Sequence, residues 1–344
     1  VSGSAMLPPG LYLHCAGALG PVPPGAADLL MPGTAPTLSR LLSRGGRDSG
    51  QLQDAYIRTV ATLSNAALAA KGCGLDPGEA CWFRAAPLQL VPDRDTLVVL
   101  GPETLAVTNA ESTAIAREFN ALYESDAITL HVHDANQWLL RVAADAPDMN
   151  MPALRRIIGR RLQDCLPAGQ DAPGWIRYLN DWQMLLHGSA VSERRASRGQ
   201  PRINGLWFWS GGVLPTSTRI PWHGVAGSDA GVQGLADMSA GGPRLLPFEP
   251  EEVLAAAAGG EAVLVDIPPA PPVLDGESFH RWESWISALD DDWLKPAFTA
   301  LHQGGLRQLS LHIGDDSTWL CKATDRYRVW RRNRPLKRFL ELSR

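Results

Sequence analysis

The sequence predicts an α/β protein: a doubly wound, mainly parallel sheet interrupted by a small inserted α+β domain. Three observations predict it. Residues 11–15, 262–267 and 308–313 form short, largely apolar runs that read as strands buried on both faces, as in a parallel sheet. Helical periodicity alternates with these runs, over residues 51–71, 249–258 and 278–302. Between them lies a block of short strands paired around tight turns, the pattern of a separate α+β unit.

Each element follows in order. Residues 11–15 end at Gly17 and feed a Gly/Pro-rich stretch that runs to Pro36. A short helix opens at residues 37–42 with Thr or Ser as its cap, and the next helical pattern, 51–71, stops at Gly72. Asp76-Pro77-Gly78 is a turn. Beyond it, residues 80–90 and 96–100 read as strands joined by Pro92-Asp93-Arg94-Asp95. A helix over 111–125 and strands over 128–132 and 138–142, around Asp134-Ala135-Asn136, come next. Helices over 152–165 and 174–187 close the block. The larger domain then resumes with a strand at 206–209, a Gly-rich stretch holding one helix over 221–242, the helix 249–258, the strand 262–267, the helix 278–302 and the strand 308–313. The expected division is a core of residues 7–76 and 187–344, with 77–186 inserted.

Composition narrows the function. At 344 residues the chain can bury a full core, and 45% hydrophobic with 20% charged residues is ordinary for a soluble globular protein. A net charge of -4 argues against a general nucleic-acid binder, and no apolar run has the length of a membrane span. Residues 1–6 lack the layout of a signal peptide and stay outside the fold argument. The five cysteines are scattered, odd in number and free of any CxxC, which suits reduced thiols in a cytoplasmic protein. The twelve Trp show no repeat period and read as core and groove-lining residues.

Chemistry in such sheets sits at the carboxyl ends of strands. There the last apolar run breaks into Gly314-Asp315-Asp316-Ser317-Thr318, the run at 262–267 carries Asp266, and the first strand ends near His14. Asp266, Asp315 and Asp316 with His14 would form a single site for a hard cation, Mn or Mg. The simpler alternative is that the adjacent loop aspartates cap the next segment or sit in solvent. The basic stretch 326–338 reads as a solvated tail. The Gly-rich stretch 224–242 has neither GxGxxG nor GxxxxGK, so dinucleotide and P-loop readings are unsupported. His131 and His133 alternate on a strand and read as surface or packing residues.

Several blocks in order resemble the archaeal-type cofactor-independent phosphoglycerate mutases of the alkaline-phosphatase superfamily. Ala35-Pro36-Thr37-Leu38-Ser39-Arg40-Leu41-Leu42-Ser43-Arg44-Gly45 is similar to that family's TPNLDxLAxxG. Residues 67–84, with Gly72, Gly74, Asp76, Gly78 and Arg84, are similar to EAxGxGIDLxxGDVAFR. His187, Val191, Arg194, Arg195, Gly199, Pro201 and Asn204 are similar to HPVNxxRxxxGxxPAN. The likeness runs from about residue 35 to 320, and the chain looks closer to the divergent proteobacterial relatives of this type, some labelled regulatory, than to the archaeal enzymes. It implies an alkaline-phosphatase-type core with an inserted subdomain, a two-metal site, a serine that carries the phosphoryl group, and basic side chains that grip 3-phosphoglycerate. By the same resemblance, His187, Arg194, Arg195 and Asn204 become candidates for anion or substrate binding.

The match departs where the chemistry lies. His14-Cys15-Ala16-Gly17 stands where the family has Asp-Gly, Asp266 where it has His, and Asp316 where its last loop has His. The His-containing DEAGHDGD segment is replaced by the His-free stretch 268–277. The PxSD nucleophile segment has no counterpart, and Ser49 and Ser64 are unsupported substitutes, so the catalytic residue is unknown. The expectation is a bacterial, cytoplasmic, phosphoglycerate-mutase-like protein with a degenerate site, with no certain cofactor. It would bind a small phosphorylated or carboxylated ligand, or a protein, and neither nucleic acid nor membrane. The alternative is an active metal-dependent mutase or phosphohydrolase that uses Mn or Mg at a rearranged site.

Overall fold

The computed structural model describes the chain except residues 1–5, 21, 24, 49, 125–126, 144–145, 216–219, 239–241, 314–316, 329–330 and 343–344. The chain folds as two units, residues 1–63 with 217–344, and residues 64–216. The strands are β1 (Gly10–His14), β2 (Gly46–Asp48), β3 (Cys81–Asp93), β4 (Thr96–Leu100), β5 (Ile128–Val132), β6 (Trp138–Val142), β7 (Gly205–Gly212), β8 (Gly224–Gly227), β9 (Arg244–Leu245), β10 (Ala262–Asp266), β11 (Gln308–His312) and β12 (Thr318–Lys322). No helix among the described residues is long and apolar enough to cross a membrane.

The first unit holds a mostly parallel sheet in the order β2-β12-β11-β1-β10-β8-β9. Its five strands from β11 to β9 run parallel, and β12 and β2 add antiparallel pairs at one edge. All five residues of β1 and all five of β11 are buried, as their apolar runs predict. Leu11, Leu13, Val263, Val265, Leu309 and Leu311 face a core filled by Leu38, Leu41, Phe279, Trp282, Ile286 and Leu301 from the helices on that side. On the other face Tyr12 packs edge-on against Trp222, at 4.8 Å between ring centroids. Tyr56, from the helix Gln51–Ser64, lies 5.4 Å from the same Trp222 ring.

The expected helix over 278–302 is interrupted. Helix Gly276–Ala288 passes through a π-helical turn, Leu289–Leu294, before helix Lys295–Gln303. That turn re-aims Asp290, 2% exposed, at the N-terminus of helix Pro36–Arg44. Its carboxylate accepts from Thr37 N at 3.1 Å and from Leu38 N at 2.6 Å. The cap is therefore supplied from about 250 residues away, where a local Thr or Ser was expected. Burial raises the Asp290 pKa, although the backbone donors oppose that. Asp290→Ala is expected to lower unfolding stability by about 2 kcal/mol, measured by chemical denaturation. No change would remove this cap from the account.

The second unit is antiparallel. The long β3 pairs with β4, β6 and β7, and β6 pairs with β5. Helices Asn109–Leu122 and Ala172–His187 contribute Ile115, Phe119, Trp175, Leu179 and Trp182 to its core. This unit is wider than the expected 77–186, because helix Ala66–Gly72 and β7 both belong to it. The aromatic run Leu206-Trp207-Phe208-Trp209 was assigned to the larger parallel sheet, yet Phe208 pairs antiparallel with Ala85. Both faces of β7 are nonetheless occupied. Phe208 meets Trp175 and Trp182, and the Trp207 indole donates to Pro152 O at 3.0 Å. A strand buried on both sides looks parallel in sequence whichever way it runs. The helix expected over 152–165 is two short turns, Leu154–Ile157 and Leu162–Cys165. The pattern over 51–71 breaks at Asn65, whose side chain caps helix Ala66–Gly72.

Candidate functional site

Sheet register sets up a polar row at the carboxyl ends of the parallel strands. Asp48, Thr318, His312, His14 and Asp266 are successive partners across β2, β12, β11, β1 and β10, and Gly227 of β8 follows. Directly paired residues project to the same face of a sheet, so these polar side chains share one face. A Cβ on Gly227 would meet Asp266 O at 3.0 Å and Val232 Cγ2 at 2.9 Å, so glycine is what lets the chain pass beside Asp266.

His14 Nδ1 lies 2.6 Å from Asp266 Oδ1. That contact fixes the ring and leaves Nε2 as the nitrogen not taken by the carboxylate. Side-chain exposure is 11% for His14 and 18% for Asp266. The next ring, His312, is 5.4 Å from His14 between centroids. Its Nδ1 is 3.0 Å from Thr318 Oγ1, and Tyr56 stacks on it at 4.9 Å with planes 13° apart. Burial, helped by the neighbouring His14, pushes His312 down to about 4, so the ring is neutral near pH 7.

The other groups beside the row are held inert. Burial, reinforced by Asp266, pushes the Cys15 thiol far up, which removes it as a nucleophile. Tyr56 is also raised well above its usual value by burial, which outweighs its hydrogen bond to Ser310 O at 3.4 Å. Asp48 Oδ2 accepts from the backbone of Gly50 and Gln53, both at 3.2 Å, and so opens the helix Gln51–Ser64. Arg47, on the same short strand, donates to Ser317 Oγ at 2.7 Å.

The expected metal set is only partly described. His14 and Asp266 meet, but Asp315 and Asp316 lie outside the described residues. Among the described residues no group of three His, Cys, Asp or Glu side chains could hold a metal ion. The described donors therefore do not make up a two-metal centre. Of the two serines considered, Ser49 lies outside the described residues, and Ser64 belongs to the second unit, where its carbonyl accepts from Arg84 Nε at 3.1 Å.

The expected anion cluster needs correction. Arg195 is 2% exposed, and its Nη1 donates to both carboxylate oxygens of Glu111 at 3.0 Å. Its Nε donates to Pro201 O at 2.7 Å, and Nη2 donates to Leu105 O. Burial raises Glu111, but hydrogen bonds from the Thr108 backbone and from Arg195 overcome that and hold its carboxyl below the usual range. Asn204 accepts from Leu90 N at 2.7 Å and donates to Leu90 O at 2.9 Å, bracing β3. Both residues are thus committed to internal partners, and what looked like a binding fork ties segments of the second unit together. His187 and Arg194 are exposed on the helices Ala172–His187 and Ala190–Ser197.

Sequence reasoning missed His312 and Tyr56. His312 was visible as the polar end of an apolar run, but its alignment with His14 needs the strand order. Tyr56 sits on a helix whose docking face has no local signature.

No protein-family model matches the chain. A 2,3-bisphosphoglycerate-independent phosphoglycerate mutase of Methanothrix thermoacetophila is 29% identical over 135 residues, which cover 39% of this chain and 33% of that protein. A probable enzyme of the same name from Geobacter sulfurreducens is 24% identical over 149 residues, covering 43% of this chain and 37% of that one. The matched stretch thus spans little more than a third of these relatives. Among solved structures, the PH0037 protein from Pyrococcus horikoshii matches with a TM-score of 0.52 and 14% identity over 98% of this chain and 93% of that one. A cofactor-independent phosphoglycerate mutase from Thermoplasma acidophilum reaches a TM-score of 0.38 at 14% identity, covering 91% and 89%, too low to carry weight. The chain is therefore a mixed α/β protein sharing the fold of the Pyrococcus protein, and its distant curated relatives are cofactor-independent phosphoglycerate mutases.

Proposed function

We propose that this chain is a divergent, regulatory-type relative of the phosphoglycerate mutases that acts without a two-metal phosphoryl-transfer centre. In this reading the mostly parallel sheet is an alkaline-phosphatase-type core, and the second unit is its insertion. Five free cysteines accord with a reducing, cytoplasmic setting. The observation that carries the proposal is the His14–Asp266 contact. By the sequence resemblance these two stand where that family would hold metal, and here they engage each other, while His312 is held by Thr318 and Tyr56. The protein binds a small phosphorylated or carboxylated ligand, or a protein partner, instead of turning over a phosphate ester. With Arg195 and Asn204 committed to internal partners, the exposed His187 and Arg194 are what remains of the expected anion cluster.

Elemental analysis of the purified protein, joined to assays with Mn or Mg against 3-phosphoglycerate and a chromogenic phosphate ester, tests this. The expected result is no tightly held metal and no turnover. Metal-dependent turnover that disappears in Asp315→Ala would replace this reading with an active mutase or phosphohydrolase built on Asp266, Asp315 and Asp316.

A further inference from the structure

We propose that the basic C-terminal segment, together with the end of helix Pro36–Arg44, forms a binding face for single-stranded nucleic acid. Residues 322–344 hold nine Lys or Arg and two Asp or Glu, a net +7 within a chain of net -4. The other 321 residues therefore carry -11. The averaged charge that argues against a nucleic-acid binder hides this separation.

The described residues of this segment are folded against the first unit, not a solvated tail. Leu336, Phe339 and Leu340, at 2%, 6% and 3% exposure, pin the helix Leu336–Leu342 into the core of the first unit. Arg328 Nη1 donates to Arg44 O at 3.2 Å. Arg331 Nη1 donates to Arg44 O at 3.1 Å and to Gly45 O at 2.9 Å. The Arg334 backbone N donates to Ser43 Oγ at 2.9 Å. Carbonyls at a helix C-terminus lack intrahelical partners and carry partial negative charge, so they attract guanidinium groups. Here that attraction gathers the basic segment beside Arg40 and Arg44. Arg40, Arg44 and Lys322 line one small cleft with Phe298 and His302.

Two carboxylates that meet the segment are already paired. Asp325 accepts from Arg328 Nε and from Lys322 N, both at 3.0 Å, and Asp28 accepts from Lys337. Arg40, Lys322, Arg331, Arg332, Arg334 and Arg338 are exposed to solvent, whatever their partners within the chain. Concentrated cations held on a folded frame fit a polyanion.

Three features select a nucleic acid over other polyanions. Seven of the nine cations are arginine, whose planar fork matches phosphate oxygens. Tyr327, 63% exposed between Arg326 and Arg328, offers a ring on which a base can stack, for which an acidic polypeptide has no use. Leu336, Phe339 and Leu340 of the terminal helix are spent on the core, so these side chains offer no wedge to a bilayer. The other residues carry a net -11, which on average disfavours a polyanion elsewhere on the chain. Nothing here depends on the role of the His14 row.

Fluorescence anisotropy with a labelled single strand of about a dozen nucleotides tests the face. With roughly four phosphates engaged, the log–log salt slope should be about -3, an affinity loss of about 50-fold between roughly 50 and 200 mM salt. Arg332→Ala with Arg334→Ala should weaken binding at least about tenfold and flatten the slope by about 1. Tyr327→Ala should cost about fivefold through lost stacking. Thermal melting checks that the variants fold, and Arg332→Gln with Arg334→Gln serves if the alanine pair does not. Any one of three results would overturn the proposal: no binding at low salt, affinity unchanged in the arginine variants, or displacement of the strand by polyglutamate at equal charge.

Discussion

Arg195→Ala is expected to destabilise the second unit by about 3–5 kcal/mol, far more than a surface arginine would cost. The side chain is 2% exposed and ties Glu111, Leu105 and Pro201 together. Truncation leaves two carbonyls without their donor and strips Glu111 of its partner. The damage spreads, because Glu111 also completes the capping box with Thr108 that opens helix Asn109–Leu122. Trp175, Trp182 and Trp207 are buried in the same core, so tryptophan fluorescence during chemical denaturation reports the change. Arg194→Ala, one residue away and exposed, should stay within about 0.5 kcal/mol. Unchanged stability in Arg195→Ala, together with weaker binding of a phosphorylated ligand, would restore Arg195 as an anion-binding residue.

A second large effect should come from pH. His312 is pushed down from 6.5 to about 4 in the folded chain, so the unfolded chain takes up this proton first as pH falls. Its contribution to stability is fully present above pH 6.5, is lost between 6.5 and about 4, and changes no further below that. The shift corresponds to about 3 kcal/mol across the window. His14 faces the ring from β1, Tyr56 from the helix Gln51–Ser64 and Thr318 from β12. Subtracting the profile of His312→Phe isolates the histidine. The variant should show a flatter stability–pH curve between pH 4 and 6.5, with its rings still stacked. Parallel curves for the two proteins would show that His312 takes up its proton as readily folded as unfolded.

The same row shows what can be read along a chain. The apolar runs that became β1, β10 and β11 were legible because both of their faces are covered, and periodicity reports burial directly. His14 and Asp266 were legible as polar ends of those runs. The short strands β2, β8, β9 and β12 were not, since their residues gain strand conformation only by pairing with a neighbour already in place. The basic segment misled for a related reason. Its arginines look solvated until helix Pro36–Arg44 supplies the carbonyls that hold them.

By itself, then, the sequence determined the class of the fold, the parallel strands at its centre and the polar residues that end them. These are local signals, written in hydrophobic spacing and in where an apolar run stops. Tertiary structure alone decided which side chains face one another. It matched His14 to Asp266 and to His312, set Asp290 as a distant cap, and spent Arg195 on Glu111. Such pairings join residues up to about 300 positions apart, and only strand register and helix packing bring them together.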